Sequence, residues 1–184
     1  DVSGQHAALA AVGGMLRAAP LDQRIEMVRS LSEDHGFDVA GEAADWAMTW
    51  AELAEFANRD GVTIGAHTAT HPSLADLPEA TARAELAEGR RVLEQKLGSP
   101  VRHLAFPYGD VTTTGAREVE LARALGFCTA TTTRHGVVHG TEDRHALPRV
   151  PSDPFDDAST VAVKASGLPA ALLGARSGGS DPLR

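Results

Sequence analysis

The chain has 184 residues, enough for one domain that buries roughly two thirds of the surface its unfolded form exposes. A net charge of −8 argues against a nucleic-acid-binding surface, and a single cysteine, Cys128, excludes an internal disulfide framework and a cysteine-rich zinc site. No stretch approaches the roughly 18 consecutive apolar residues of a membrane span, so we expect no membrane-spanning segment. The sequence begins without a basic leader or an initiating methionine, as expected of a trimmed chain, a mature product or a fragment.

The first third of the chain is predicted to be helical. Apolar periodicity predicts helices over 5–19, 20–35 and 49–61, with a loop or short irregular turn over 38–48. The third helix is predicted to begin at Thr49, because Glu52 three residues later completes a capping-box pattern.

From residue 62 onward, short apolar and β-branched runs alternate with helical patterns. The predicted order is a strand over 62–67, a helix over 77–98, a strand over 101–109, a helix over 113–126, strands over 127–133 and 145–151, and two modest C-terminal helices before a flexible tail. Such alternation predicts βα units and a parallel sheet. About four strands are visible and a closed barrel needs roughly eight, so we expect an incomplete barrel or a small open α/β sheet.

Two histidines, His67 and His71, follow the first predicted strand with the spacing His-x-x-x-His. On a helix this spacing places both rings on one face, whereas along a strand it separates them by about 13 Å. The pair His135 and His139 has the same spacing in an extended-looking stretch between glycines, so we expect those two to point apart. His67 lies at a strand end and Pro72 stops simple continuation of the strand, which favours a ligand site. From the residues alone, metal binding and two ordinary polar histidines both stay open.

Two motifs in this region resemble those of a known family. The sequence "HTATHP" (67–72) resembles the second motif of the polysaccharide deacetylase family (carbohydrate esterase family four), His-Ser/Thr-x-x-His-Pro, and "HLAFPYGD" (103–110) is similar to its third motif. The helical stretch between the motifs and the segments around them are also similar, so the resemblance covers roughly residues 46–151.

The resemblance implies an α/β fold, here a partial distorted (β/α) barrel of parallel strands with an N-terminal helical segment. It divides the chain into a helical insertion-like segment (1–48), a deacetylase barrel portion (49–151), and C-terminal helices with a flexible tail (152–184). It also implies an acetylated polysaccharide or oligosaccharide as the partner and an extracytoplasmic or cell-envelope location.

The implied reaction is the metal-dependent removal of N-acetyl, or sometimes O-acetyl, groups from a sugar polymer. The resemblance implies that His67 and His71 bind a divalent metal, most often zinc, and that an aspartate completes the protein ligands. It further implies that the backbone N–H of Tyr108 stabilises the oxyanion; the alternative is an aromatic side chain that fills the barrel rim.

Parts of the family pattern are missing. The family's Thr-Phe-Asp-Asp motif does not precede His67, and "FDD" at 155–157 has the pattern of a loop and helix start. The Tyr-His motif that can supply the family's catalytic acid is absent, which leaves His145 as a candidate acid or a structural strand residue. Ala105 occupies a position that is an arginine in many members, and Arg149 is a candidate replacement or a member of a structural ion pair.

These departures predict a C-terminal part of a deacetylase, with little or no hydrolysis by this chain alone. One alternative is a non-catalytic relative that binds glycans through the remaining groove. A second is a small zinc-binding module in which His135, His139 or His145 completes the site of the first histidine pair. A third is a truncated product with exposed sheet edges that is prone to aggregation.

Overall fold

A computed structural model of the chain describes residues 2–168. In chain order, the helices of this part are α1 (Val2–Ala18), α2 (Leu21–His35), α3 (Val39–Trp46), α4 (Trp50–Ala57), α5 (Glu79–Leu97), α6 (Ala116–Ala124) and α7 (Ala158–Ala165), and the strands are β1 (His103–Ala105), β2 (Thr129–His135) and β3 (Leu147–Arg149). The predicted helix over 169–175 and the predicted tail lie outside the described residues. No helix within residues 2–168 is long and apolar enough to cross a membrane.

The chain divides into two compact units after Leu53. In the first unit, α2 ends as predicted at Gly36, whose left-handed conformation (φ 62°) carries no Cβ penalty. The prediction of a loop over 38–48 is wrong, because this stretch contains α3. The carboxylate of Asp38 accepts a hydrogen bond from the backbone N–H of Gly41 (3.0 Å) and so caps the first turn of α3.

The capping box that predicts α4 is present. The Thr49 hydroxyl accepts a hydrogen bond from the backbone N–H of Glu52 (3.2 Å), and the Glu52 carboxylate accepts one from the backbone N–H of Thr49 (2.7 Å). These two bonds satisfy two of the donors that a helix N-terminus leaves unpaired, which is why the helix begins here.

The second unit is built on a three-stranded parallel sheet in the order β1-β2-β3. His103 of β1 lies opposite Thr129 of β2, and Thr131 of β2 lies opposite Leu147 of β3. The prediction of an α/β fold with parallel strands is therefore confirmed. The predicted division into segments 1–48, 49–151 and 152–184 stays a prediction.

The predicted strand over 62–67 is reduced to one parallel bridge between Ala66 and Leu104. Two hydrogen bonds form it: Ala66 N–H donates to the His103 carbonyl (2.8 Å), and Ala105 N–H donates to the Ala66 carbonyl (2.9 Å). Gly65 lies so close to β1 that a Cβ there would be 3.2 Å from the His103 carbonyl oxygen. The segment therefore runs beside β1 in the same direction, and its carboxyl end reaches the same edge of the sheet.

The core of this unit lies between the sheet and helices α5 and α6. It includes Leu86 of α5, Val119 of α6, Leu104 of β1 and Phe106 just beyond β1, each at most 3% exposed. Burial of each such side chain contributes about 1.5–3 kcal/mol relative to leaving it exposed. This packing fixes α5 against the sheet and hence against the loops that follow the strands.

Candidate active site

The segment 67–72, which we call the histidine loop, begins one residue beyond the Ala66 bridge and is neither helix nor strand. Its Thr68 and His71 both have left-handed backbone conformations, with φ of 64° and 57°. These turns bring the rings of His67 and His71 together, with their centroids 4.7 Å apart and their planes at 71°. Among the described residues, ring contacts between histidines are confined to this pair, so the same spacing at His135 and His139 does not bring those rings together.

The ring of His67 is oriented by β1. Its Nδ1 atom lies 2.6 Å from the carbonyl oxygen of Ala105. A carbonyl oxygen only accepts hydrogen bonds, so Nδ1 carries the proton in the neutral ring and Nε2 has the free lone pair. A hydrogen bond of this kind from the second ring nitrogen is the usual way in which proteins orient a metal-binding imidazole.

The side chain of Thr68 bonds within the histidine loop. Its hydroxyl donates to the His67 carbonyl (2.6 Å) and accepts from the backbone N–H of His71 (3.0 Å). Left-handed conformations cost on the order of 1–3 kcal/mol each in residues other than glycine, and a β-branched threonine is an outlier there. The local hydrogen bonds offset part of this cost and hold the two histidines in contact.

Tyr108 follows β1 and lies beside the histidine pair. Its ring centroid is 5.0 Å from that of His71. Its backbone has a φ of 61°, and the Gly109 N–H donates to the Pro107 carbonyl (2.6 Å) across it, which makes Tyr108 the centre of a γ-turn of the strained, positive-φ form. The Tyr108 carbonyl accepts a hydrogen bond from the Thr133 hydroxyl (2.6 Å). Among the described hydrogen bonds, the N–H of Tyr108 has no acceptor within the chain.

Left-handed backbone in non-glycine residues is confined, within the described residues, to Thr68, His71 and Tyr108. All three lie beyond the carboxyl ends of neighbouring parallel segments. Strained backbone of this kind persists where the surrounding structure over-determines it and is concentrated at functional sites. Its location therefore marks the edge with the histidine loop and Tyr108 as the candidate active site.

Arg149 and His145 lie at different edges of the sheet. Arg149 is the last residue of β3, at the carboxyl edge, and its Nε donates to the Thr132 carbonyl (2.7 Å). His145 precedes β3 at the amino edge, is 7% exposed, and its Nε2 lies 2.7 Å from the Phe127 carbonyl oxygen. Arg149 therefore stays a candidate for the site, whereas the structure does not bring His145 to the histidine pair and its position gives no support to a role as the acid.

A zinc ion at this site would meet the imidazoles of His67 and His71, and the Nδ1 hydrogen bond of His67, which leaves its Nε2 lone pair free, fits a role as ligand. Among residues 2–168, no group of three histidine, cysteine or acidic side chains is placed to hold a metal ion. Within this part of the chain, the structure therefore gives no support to the alternative in which His135, His139 or His145 completes a zinc site.

The acidic residues after β1 and just before α7 take part in other bonds. The pKa of Asp110 is lowered by hydrogen bonds, first from the Thr112 hydroxyl (2.6 Å), and these bonds hold the carboxylate in the turn after Tyr108. In the 155–157 stretch, Asp156 forms an ion pair with Lys164 (2.6 Å), and Asp157 caps α7. The predicted loop and helix start is thus the observed structure of that stretch.

Two residues of α5 support the histidine loop and were not singled out from the sequence. Glu85 accepts hydrogen bonds from the loop, and Gly89 is buried where a Cβ would collide with the Thr68 carbonyl group. A glycine inside a helical pattern is a signal for close packing and could have identified Gly89. No sequence signal separates Glu85 from its neighbour Glu88 on the same helix.

The chain is similar to known proteins in sequence and in fold. A family model described as polysaccharide deacetylase matches residues 33–129, just over half of the chain. The deacetylase PplD from Streptococcus pyogenes, solved in complex with acetate, is similar in structure with a TM-score of 0.59 and 19% identity, over 64% of this chain and 50% of that one. A polysaccharide deacetylase from Bacillus cereus is similar with a TM-score of 0.56 and 22% identity, over 65% of this chain and 37% of that one.

The chain thus spans half or less of the length of these two solved structures. At these identities, the likeness shows the fold alone. No curated protein sequence matches the chain.

Proposed function

The chain belongs to the polysaccharide deacetylase family, and on this premise we propose that it takes part in the hydrolytic removal of acetyl groups from N-acetylated sugars of a polysaccharide. The observation that carries the proposal is the meeting of the histidine pair and the Tyr108 turn at one sheet edge. The rings of His67 and His71 are in contact, and the ring of Tyr108 lies 5.0 Å from that of His71.

In the proposed site, His67 and His71 hold a divalent metal, most often zinc in the family. His67 offers its Nε2 lone pair, since its Nδ1 proton is donated to the Ala105 carbonyl. When bound, zinc supplies Lewis acidity, which polarises the acetyl carbonyl and lowers the pKa of a water molecule.

Tyr108 contributes its backbone rather than its phenol. Within residues 2–168 the N–H of this turn has no hydrogen-bond acceptor, while the Thr133 hydroxyl holds the carbonyl of the same residue. A preorganised N–H is suited to the oxyanion that forms when the acetyl carbonyl becomes tetrahedral. Arg149, at the same edge, is proposed as the replacement for the arginine that many family members have at the position of Ala105.

The described residues contribute two imidazole ligands and no third ligand. We therefore propose weak zinc binding and slow turnover by this chain alone. The test is acetate release from N-acetylglucosamine oligomers with and without zinc, for the wild type and for His67→Ala and His71→Ala. His135→Ala is the matched control, because His135 belongs to the other His-x-x-x-His pair.

Slow, zinc-dependent acetate release that is lost in both site variants and kept in the control is the expected result. Equal rates in the wild type and the His71→Ala variant would contradict the proposed function. Fast turnover by the wild type would contradict the incomplete ligand set. Binding of the oligomer without any acetate release would favour a glycan-binding relative instead.

The proposal extends to an extracytoplasmic or cell-envelope location, because the family's substrates are mostly envelope or extracellular glycans. Fractionation of the native host, with detection of the protein in the cytoplasmic fraction alone, would contradict this location.

A further inference from the structure

Glu85 of α5 holds the centre of the histidine loop. Its Oε2 atom accepts hydrogen bonds from the successive backbone N–H groups of Ala69 (3.1 Å) and Thr70 (2.9 Å), and its Oε1 atom accepts one from the Thr70 hydroxyl (2.9 Å). Hydrogen bonds to an ionised acceptor are stronger than those between neutral groups. A single carboxylate therefore fixes two of the three residues that lie between His67 and His71.

The histidine loop depends on such external support, because it belongs to no ladder of backbone hydrogen bonds. The N–H groups of Ala69 and Thr70 share one acceptor, the Oε2 atom of Glu85. The N–H of His71 is bonded to the Thr68 hydroxyl (3.0 Å). Without Glu85, the N–H groups of Ala69 and Thr70 have no acceptor in the protein. The left-handed backbone at Thr68 and His71, on either side, is then no longer held in place.

The same face of α5 also determines how closely the loop approaches. Gly89 lies one turn after Glu85, and a Cβ at this position would be 2.5 Å from the Thr68 carbonyl carbon. Residues four apart share one face of a helix, so Glu85 and Gly89 together form the surface of α5 that contacts the loop. Glu85 binds the backbone of the loop, and Gly89 leaves room for it.

We propose that Glu85 is a positioning residue that sets the separation of the His67 and His71 rings and thereby the metal affinity of the pair; the inference rests on the proposed function. Glu85 does not act as a third ligand in this arrangement. Both of its oxygens are directed at the backbone and hydroxyl of the loop, and no three-residue ligand group exists among residues 2–168. Its effect on the metal passes through the loop backbone.

The test compares Glu85→Ala, Glu85→Gln and the control Glu88→Ala in the full chain. Glu88 lies one turn away on α5 and pairs with Arg91 (2.6 Å) at the exposed surface, so the control removes the same groups from the same helix without touching the histidine loop. Three quantities are measured: zinc affinity from an NMR-detected titration, amide hydrogen exchange at Ala69 and Thr70, and the free energy of unfolding.

Glu85→Ala is expected to weaken zinc binding by roughly tenfold, as for other outer-sphere changes, and to speed exchange at both amides. Glu85→Gln keeps a carbonyl acceptor for the two N–H groups and is expected to restore most of the affinity. Glu88→Ala is expected to leave zinc affinity and both exchange rates as in the wild type.

Two outcomes would overturn this inference alone. One is a Glu85→Ala variant that loses stability but binds zinc as the wild type does, since Glu85 would then be structural only. The other is zinc affinity lowered equally by Glu85→Ala and Glu88→Ala, which would indicate a general charge effect. Absence of zinc binding by the wild type would overturn the proposed function and this inference together, and the wild-type measurement identifies that case separately.

Discussion

The Nδ1 atom of His67 lies 2.6 Å from the carbonyl oxygen of Ala105, in the strand that neighbours the histidine's own segment. The bond joins the motif that carries the histidines to the motif that carries Tyr108. It also assigns the tautomer, because the carbonyl oxygen requires a proton on Nδ1. One hydrogen bond therefore both orients the ring and leaves Nε2 as the metal-binding atom.

This arrangement predicts the tautomer of neutral His67 in solution. Long-range proton–nitrogen NMR spectra should show His67 with the proton on Nδ1, and zinc should perturb the Nε2 resonance while the Nδ1 proton persists. His139, which lies in a loop outside the site, is the internal control and should not respond to zinc. A proton on Nε2 of neutral His67 would contradict the assignment.

Gly89→Ala is predicted to displace the histidine loop. Alanine gains about 1 kcal/mol over glycine in helix propensity. Its Cβ, however, would lie 2.5 Å from the Thr68 carbonyl carbon in a buried position. Overpacking of this kind costs about 1–3 kcal/mol, so the clash outweighs the propensity gain. We expect net destabilisation and weaker zinc binding, measured by denaturant unfolding and zinc titration.

Gly14→Ala is the matched control for that prediction. Gly14 lies in α1, where a Cβ added to the glycine would meet no atom within 4 Å, so only the propensity gain applies. The control should be neutral or more stable than the wild type. A stabilised Gly89→Ala variant with unchanged zinc binding would show that the loop does not rely on the close approach.

Local signals in the sequence predict helix ends well. Gly36 and Gly98 end helices in the left-handed conformation that glycine favours, and Thr49 with Glu52 begins one. Asp38 is also a suitable residue to begin a helix, but the stretch after it has only weak apolar periodicity. The sequence therefore does not predict α3. End signals depend on a few neighbouring atoms and can therefore be identified from a short window of sequence.

The site is less predictable, because its geometry contradicts local preferences. Threonine and tyrosine avoid positive φ, yet Thr68 and Tyr108 adopt it, and the Tyr108 turn is held by a hydrogen bond from a residue far along the chain. The spacing of His67 and His71 does not indicate whether their rings meet; the family resemblance predicts them as ligands. The rings meet because the histidine loop packs against α5. This tertiary contact cannot be predicted from the histidine motif.

Thr133→Val is predicted to loosen the Tyr108 turn. The variant keeps the side-chain shape and removes the hydroxyl that donates to the Tyr108 carbonyl (2.6 Å). Loss of such a bond costs about 1 kcal/mol, and the N–H of the same turn becomes less fixed. We expect lower stability and a further reduction in acetate release.

Thr131→Val is the control, since Thr131 lies two residues earlier on β2 and makes only a long contact with the Leu104 carbonyl (3.4 Å). It should change stability by less than about 0.5 kcal/mol. Equal effects of the two substitutions on acetate release would argue that the Thr133 hydroxyl has no special relation to the turn.

Glu94→Gln is predicted to reduce stability at neutral pH and to have little effect in acid. The carboxylate of Glu94 accepts hydrogen bonds from the Val101 N–H (3.0 Å) and from Nε of Arg90 (3.0 Å), and in that order these bonds hold its pKa below the ordinary value of 4.5. A depressed pKa stabilises the fold above the ordinary value, and the contribution is lost as the pH falls through the lower, folded-state value. For a partly exposed group, we expect about 1 kcal/mol at neutral pH. Urea unfolding from neutral to acidic pH measures the difference in the free energy of unfolding between the wild type and the variant. A difference that stays constant into acid would show that the charge on Glu94 does not contribute to stability.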